Sequence, residues 1–378
     1  MAHYNTILHS LLKFLPRHVF DTLEQQIDQS DRRRKSSRYE QFIALLTAQI
    51  LGLNSLREIE AALICKQKKL YHVGVKKPIS RSALARMNYE RTSDFFKVIF
   101  ENLLKHAQKH APKLQFNLPG IDKLILLDAT TIELCLNEFP WATYKETKGA
   151  IKLHFGLNDS GHLPEFMVAT DGKTHEVSVA KSLEFAKGSM ICMDRGYNDY
   201  KWWDELDSNG IFFVTRLKSN AVYEGIRRKP GRRSKNVNDD EIVMLNGSEK
   251  QFRLVHYTDP ETQREYHFIT NANKLPAQTI ANIYKERWQI ELFFKWVKQN
   301  LKIKTFLGTS ANAVMTQIWI ALCLYLILSL IKFVSKTEYS IREILNWICL
   351  NLFSNSIMED FLVPKMTEPI KNQQLELF

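Results

Sequence analysis

Cysteine is scarce in this chain of 378 residues: Cys65, Cys135, Cys192, Cys323 and Cys349 are five in number, far apart, and never in a CxxC arrangement. That pattern argues against a disulfide framework and a zinc-thiolate site, and fits a reducing, intracellular setting. The opening stretch, MAHYNTILHSLLKFLPRHVF, lacks a basic segment followed by an apolar one and a small-residue cleavage site. No export signal is therefore expected, and a cytoplasmic, nucleoid-associated location is. Long apolar runs are absent apart from residues 318–331, IWIALCLYLILSLI, which fall short of the roughly 20 that span a bilayer. The run reads as a helix buried in a large core, with no membrane as partner. There is no internal repeat and no low-complexity segment. Acidic residues are outnumbered, 41 against 52 Lys and Arg, leaving a net charge of +11. Such a surface favours a polyanionic partner, nucleic acid ahead of an anionic membrane.

What is present fits a chain with real cores: 45% hydrophobic and 11% aromatic residues over a length that allows two or three domains. Up to about residue 117 the patterns are helical, with Phe42, Leu45, Leu46 and Ile50, then Ile59, Ala62 and Leu63, at three- and four-residue spacing. Ser55 and Glu58 suit a capping box, and Ser80 or Ser82 could open a helix that exposes Arg81, Arg86 and Arg91. That helix fits a small DNA-reading unit or a plain bundle with solvated arginines equally well. Two basic runs, residues 32–38 with Arg32, Arg33 and Arg34, and residues 227–235, are candidate phosphate-binding loops.

Past Pro119 and Gly120 the texture changes to short apolar runs separated by turns. The order reads strand, strand, strand, helix, strand, helix, strand: LILLD ending at Asp128, IKLHFGL, EFMVATDG, a helix over 176–186, MICMD ending at Asp194, YKWWDEL and IFFVTRL. Residues 218–273 read as an antiparallel β insertion. A long helix opens near Pro276, a residue tolerated in a first helical turn. A last helix, IREILNWICLNLF, precedes a frayed tail beyond Pro364. The expected domains are 1–117, 118–335 and a C-terminal helical segment, 336–378.

At about 100° per residue, Tyr284, Arg287, Glu291, Lys295 and Lys298 fall close to one line along that long helix. Ile290, Phe294, Val297 and Leu301 take one flank; Trp288, Leu292, Phe293 and Trp296 take much of the other, as though packed. A solvated row of ion pairs would produce the same stripe. A carboxylate flanked by Tyr, Arg and Lys is also the kit that phosphoryl transfer requires. Asp128 and Asp194 each terminate a buried-looking strand. In a sheet where these strands run parallel, both emerge at the carboxyl edge, where α/β sheets place their sites. With Glu291 they would make a three-carboxylate cluster for two divalent ions, Mg²⁺ by preference and Mn²⁺ as a substitute. His154 and His175 lack metal-ligand spacing, and Asp171 precedes Gly172 as a turn residue would.

Tyr284, Arg287, Glu291 and Lys298 match Y-x2-R-x3-E-x6-K, DRGY at residues 194–197 matches a second acidic motif, and LLDATTIEL around Asp128 looks like a first. In these residues the chain resembles the DDE transposases of the IS-four insertion-sequence family. SLREIEAAL, SRSALARMN and LPAQTIANIYKERWQIELFFKWVKQNLKIKTFLGTS extend the resemblance over nearly the whole chain. It implies an α/β, ribonuclease-H-like mixed sheet with flanking helices, a β-rich insertion before the glutamate helix, and an all-α N-terminal DNA-binding domain. Asp128, Asp194 and Glu291 would be the metal-binding catalytic triad. Tyr284, Arg287 and Lys298 would contact phosphates near the cut end, assisted by Lys295. Cut-and-paste transposition on double-stranded DNA, at inverted repeats and target, by a homodimer is the activity implied. Some relatives hold a flipped base with a tryptophan in the insertion. None lies between Val222 and Ile283 here, so Tyr257 or Tyr266 would substitute. A nuclease that cuts without joining, or a DNA-binding regulator without catalysis, are the alternatives; three carboxylates argue against the last.

Overall fold

In a computed structural model of the chain, the described residues are 6–27, 36–112, 118–145, 148–229, 236–300 and 306–355. Arg32, Arg33 and Arg34, residues 230–235 of the second basic run, Leu301, and the tail beyond Pro364 lie outside them. The chain divides into two compact units, Met1–His110 with Trp319–Phe378, and Ala111–Ile318.

The first unit begins with seven helices: α1 (Ile7–Leu12), α2 (Arg17–Ile27), α3 (Arg38–Leu51), α4 (Leu56–Cys65), α5 (Gln67–Tyr71), α6 (Arg81–Glu90) and α7 (Asp94–His110). Short polar side chains start α1, α3, α4 and α6 by satisfying amide groups that have no partner within the helix. Ser37 and Glu40 form a full capping box on α3. Ser55 accepts from the Glu58 amide, while Glu58 reaches the Asn54 amide rather than that of Ser55. Ser80, not Ser82, caps α6. Phe20, Phe42, Phe95 and Phe96 interlock at the centre, the Phe20 and Phe42 rings 5.0 Å apart. Arg38 is fully buried among them, bonded to Gln41 and the Thr92 carbonyl. Arg81 and Arg86 stay exposed, whereas Arg91 folds back on Glu24 and the Ser36 carbonyl.

The second unit carries β1 (Lys123–Leu134), β2 (Thr143–Lys145), β3 (Lys148–Asn158), β4 (Pro164–Asp171), α8 (Glu176–Lys181) and β5 (Ser189–Met193). A 3₁₀ turn at Arg195–Tyr197 leads to α9 (Tyr200–Ser208), β6 (Phe212–Arg216), β7 (Tyr223–Arg228), β8 (Val237–Leu245), β9 (Gln251–Thr258) and β10 (Glu265–Thr270). Helices α10 (Ala277–Glu286) and α11 (Trp288–Asn300) follow. The strands make one sheet in the order β2-β3-β1-β5-β6-β10-β9-β8-β7, with β4 also pairing with β3. Pairing is parallel for β1–β5 and β5–β6 and antiparallel elsewhere. The stretch at 218–273 therefore prolongs the main sheet through β10, beside β6. One face is closed by α9, whose Trp202, Trp203 and Leu206 pack on Leu127, Ile191, Met193 and Phe213. The other face receives α11, with Phe293 set edge-on to Phe155 at 5.1 Å. Gly156 on β3 is required by close approach: a Cβ there would lie 2.3 Å from the Phe166 ring.

The apolar run at 318–331 belongs to a longer helix, α12 (Ala311–Ser335), which precedes α13 (Ile341–Asn351). Among the described residues α12 is the one helix long and apolar enough to cross a membrane by itself. Its most apolar window is 78% buried, as in a core helix. Residues from Trp319 onward group with the helical unit for visible reasons. Trp319 meets Phe100 at 5.3 Å, and the Ile7 and Leu8 amides donate to the carbonyls of Ser354 and Leu352.

Candidate active site

Parallel pairing of β1 and β5 sets Leu127 opposite Met193, so Asp128 and Asp194 follow at adjoining positions on the same side of the sheet. Asp194 ends its strand, as the sequence indicates. Asp128 does not: β1 runs on to Leu134, still bonded to β3. What opens the site is the early end of β5, which leaves the β1 flank beyond Leu127 without a strand partner on that side.

The long helix expected from Pro276 is interrupted at Arg287. The Arg287 amide donates to the Tyr284 carbonyl, and the Ile290 amide to the Arg287 carbonyl, each three residues back. At this break the Arg287 guanidinium turns inward. Its Nη2 donates to Glu291 Oε1 at 2.7 Å and its Nη1 to Asp128 Oδ2 at 3.4 Å. The Tyr284 hydroxyl donates to Asp194 Oδ1 at 3.4 Å. The structure thus brings together Asp128, Asp194, Glu291, Tyr284 and Arg287. Lys295 is exposed and Lys298 half-buried on the same helix. Trp288 and Leu292 are not packed as expected. The buried side of α11 is limited to Ile290, Phe293, Phe294 and Val297, and Trp288 remains 56% exposed.

Burial pushes the Asp128 carboxyl up to about 6; the Ala129 amide and Arg287 oppose the rise, while the negative charges of Glu176 and Asp194 add to it. Among the described residues, no three acids or imidazoles already stand at metal-binding spacing. Arg287 is bonded to both Asp128 and Glu291, where a cation would otherwise balance them. The donor set itself is entirely oxygen, which suits a hard divalent ion.

His154 is buried and bonded to Thr170, its pKa pushed by burial down to about 4. Asp171 accepts from the Thr174 amide and hydroxyl as a turn residue. Tyr257 and Tyr266 sit opposite each other on β9 and β10; Tyr266 stacks on Phe268 beneath Arg216. Sequence reasoning passed over Glu176 at the start of α8. Its signal was positional: β4 and β1 are both antiparallel to β3, so both run toward the edge where α8 begins.

Residues 119–327 match the family described as "Transposase DDE domain". This chain belongs to that family. DDE transposases as a class use divalent metal ions, which fits the acids gathered here. Residues 3–76 match a second family, "Domain of unknown function (DUF4372)". Among curated relatives, "Putative transposase y4zB" of Sinorhizobium fredii is 33% identical over 224 residues, 55% of this chain and 61% of that protein. "Probable transposase for insertion sequence element IS5377" of Geobacillus stearothermophilus is 32% identical over 211 residues, 54% and 55% of the two chains. "Putative transposase for insertion sequence element IS4SA" of Synechocystis sp. is 27% identical over 263 residues, 66% and 71%. The aligned region spans less than two thirds of the first two relatives. All the acids, Tyr284 and Arg287 fall inside the DDE match.

Proposed function

We propose that this protein is a cut-and-paste transposase of the IS-four type, with Asp128, Asp194 and Glu291 as its catalytic acids. The observation that carries the proposal is that Arg287 joins Asp128 to Glu291, residues distant in sequence, while Asp194, set beside Asp128 by the pairing of β1 and β5, accepts from the Tyr284 hydroxyl one turn before Arg287. The three carboxylates would hold two divalent ions, Mg²⁺ or Mn²⁺. When bound, these activate water or a 3′-hydroxyl and stabilise the leaving oxygen. Arg287 has a bidentate fork that suits a phosphate as well as a carboxylate. Incoming DNA would draw it from Asp128 and Glu291, freeing both acids. Tyr284, Lys295 and Lys298 would hold the backbone near the cut end, and Trp288 offers an exposed ring beside them. Arg81 and Arg86 on α6, with Arg32, Arg33 and Arg34, would contact the inverted repeats, two protomers pairing two ends.

A strand-transfer assay with a pre-cut 3′ end tests this reading. Joined product, dependent on Mg²⁺ or Mn²⁺, is expected; nicking without joining would instead mark a ribonuclease-H-like nuclease. Glu291→Ala is expected to lower cleavage and joining by at least about 10³-fold, roughly 4 kcal/mol of barrier, with DNA binding by gel shift retained. Full cleavage by that variant would remove Glu291 from the mechanism.

A further inference from the structure

A fourth acid stands at this site. Glu176, the first residue of α8, divides its carboxylate between two tasks. Oε1 is paired with Lys152 Nζ at 3.5 Å, and Lys152 is itself fixed by donating to the Thr174 carbonyl at 3.0 Å. Oε2 points the other way, over Gly196. A Cβ at Gly196 would lie 3.7 Å from Glu176 Oε2 and 3.9 Å from Asp194 Oδ2, so the two oxygens overlook the same point.

Tyr197 closes the 3₁₀ turn that starts at Asp194, its amide donating to the Asp194 carbonyl at 3.0 Å. Its side chain is 1% exposed, and among the described residues its hydroxyl has no hydrogen-bond partner. Burial raises the pKa of that hydroxyl, and the negative charges of Asp128, Glu176 and Asp194 add to the rise. A buried donor left unpaired costs about 1–3 kcal/mol, so such groups usually have a water or ion for which they are kept. Of the acids at this site, Glu176 is paired with Lys152, while Asp128 and Glu291 share Arg287.

We propose that Glu176 Oε2 and the Tyr197 hydroxyl together hold a water molecule belonging to the divalent ion bound at Asp128 and Asp194. Both are positioning residues: they set the ion's affinity through its hydration, the hydroxyl donating and the carboxylate accepting. Neither binds the ion directly. The inference rests on Asp128 and Asp194 being metal ligands, and the experiment separates the two claims.

Mn²⁺ binding to the full chain is titrated by electron paramagnetic resonance for the wild type, Asp128→Asn, Glu176→Gln and Tyr197→Phe, with the melting temperature of each measured alongside. Outer partners of a metal site typically govern its affinity by 10–100-fold. Asp128→Asn is expected to abolish saturable binding, and Glu176→Gln and Tyr197→Phe each to weaken it by about tenfold. Tyr197→Phe is expected to melt no lower than the wild type, because its hydroxyl has no bond to lose; a merely structural role would lower the melting temperature and leave affinity alone. Loss of binding in Asp128→Asn with wild-type affinity in Glu176→Gln and Tyr197→Phe overturns this inference alone. No saturable Mn²⁺ binding by the wild type, or binding indifferent to Asp128→Asn, overturns the carboxylate reading and this inference with it.

Discussion

With its carboxyl pushed up to about 6, Asp128 is held ionised at neutral pH only against the preference of its surroundings. The raised value means that the folded state binds this proton more tightly than the unfolded chain does. Ionised Asp128 therefore costs stability above about pH 6, and the cost fades as pH falls through 6 toward the ordinary value of 3.8. The shift corresponds to about 2 to 3 kcal/mol. Asp128→Asn is expected to be more stable than the wild type by about that amount at pH 8, with the difference shrinking toward pH 4. Urea unfolding at both pH values, without added metal, measures it; equal gaps at the two would show that burial is not what raises the carboxyl. Addition of Mg²⁺ should stabilise the wild type and not the variant.

Among the elements, β8 and β9 are tied to each other and to the chain ahead of α10 by one buried arginine. Arg253 on β9 is 2% exposed and grips Asp240 on β8 through Nε at 2.8 Å and Nη2 at 2.7 Å, while Nη1 reaches the Ala272 and Leu275 carbonyls ahead of α10. Arg253→Ala leaves Asp240 and two carbonyls without their donor, and a loss of about 3–5 kcal/mol in urea unfolding is expected. Unchanged stability would show the pair to be dispensable. The same scale shows what could be read in advance. The alternation of IKLHFGL follows from period two, and the unbroken apolar runs before Asp128 and Asp194 from burial of parallel strands on both faces; these were legible, as was the order of strands and helices around them apart from the three-residue β2. The extension of β1 past Asp128 was not, because nothing local in ATTIEL marks where its parallel neighbour stops. The break at Arg287 was hidden too: IYKERWQIEL contains neither Gly nor Pro, and the tightened turn shows itself only in backbone bonds three residues back. Glu176 escaped because its role depends on where β4 delivers the chain, not on the residues beside it.

At the scale of the whole molecule, charge is the most readable property and the least specific. A net +11 predicts that DNA binding will be strongly dependent on ionic strength. With about six to ten phosphates neutralised, affinity should fall by about 10³ or more between 50 and 200 mM salt. Replacing Arg32, Arg33 and Arg34 by alanine should lower the log–log slope by about 0.9 for each phosphate no longer neutralised. Fluorescence anisotropy with a labelled duplex measures both, and an affinity flat across that range would remove the electrostatic footing for a DNA partner.

The side-by-side run of β1 and β5 makes the spacing of the chain ahead of Asp128 a matter of odd and even. Losing or gaining one residue between Lys123 and Leu127 would swing the aspartate through the sheet, into the layer where Trp203 and Phe213 lie against each other. Losing two would restore its side but slide it past Asp194. Natural variation in length should therefore be purged from these few positions even where changes of residue type are accepted.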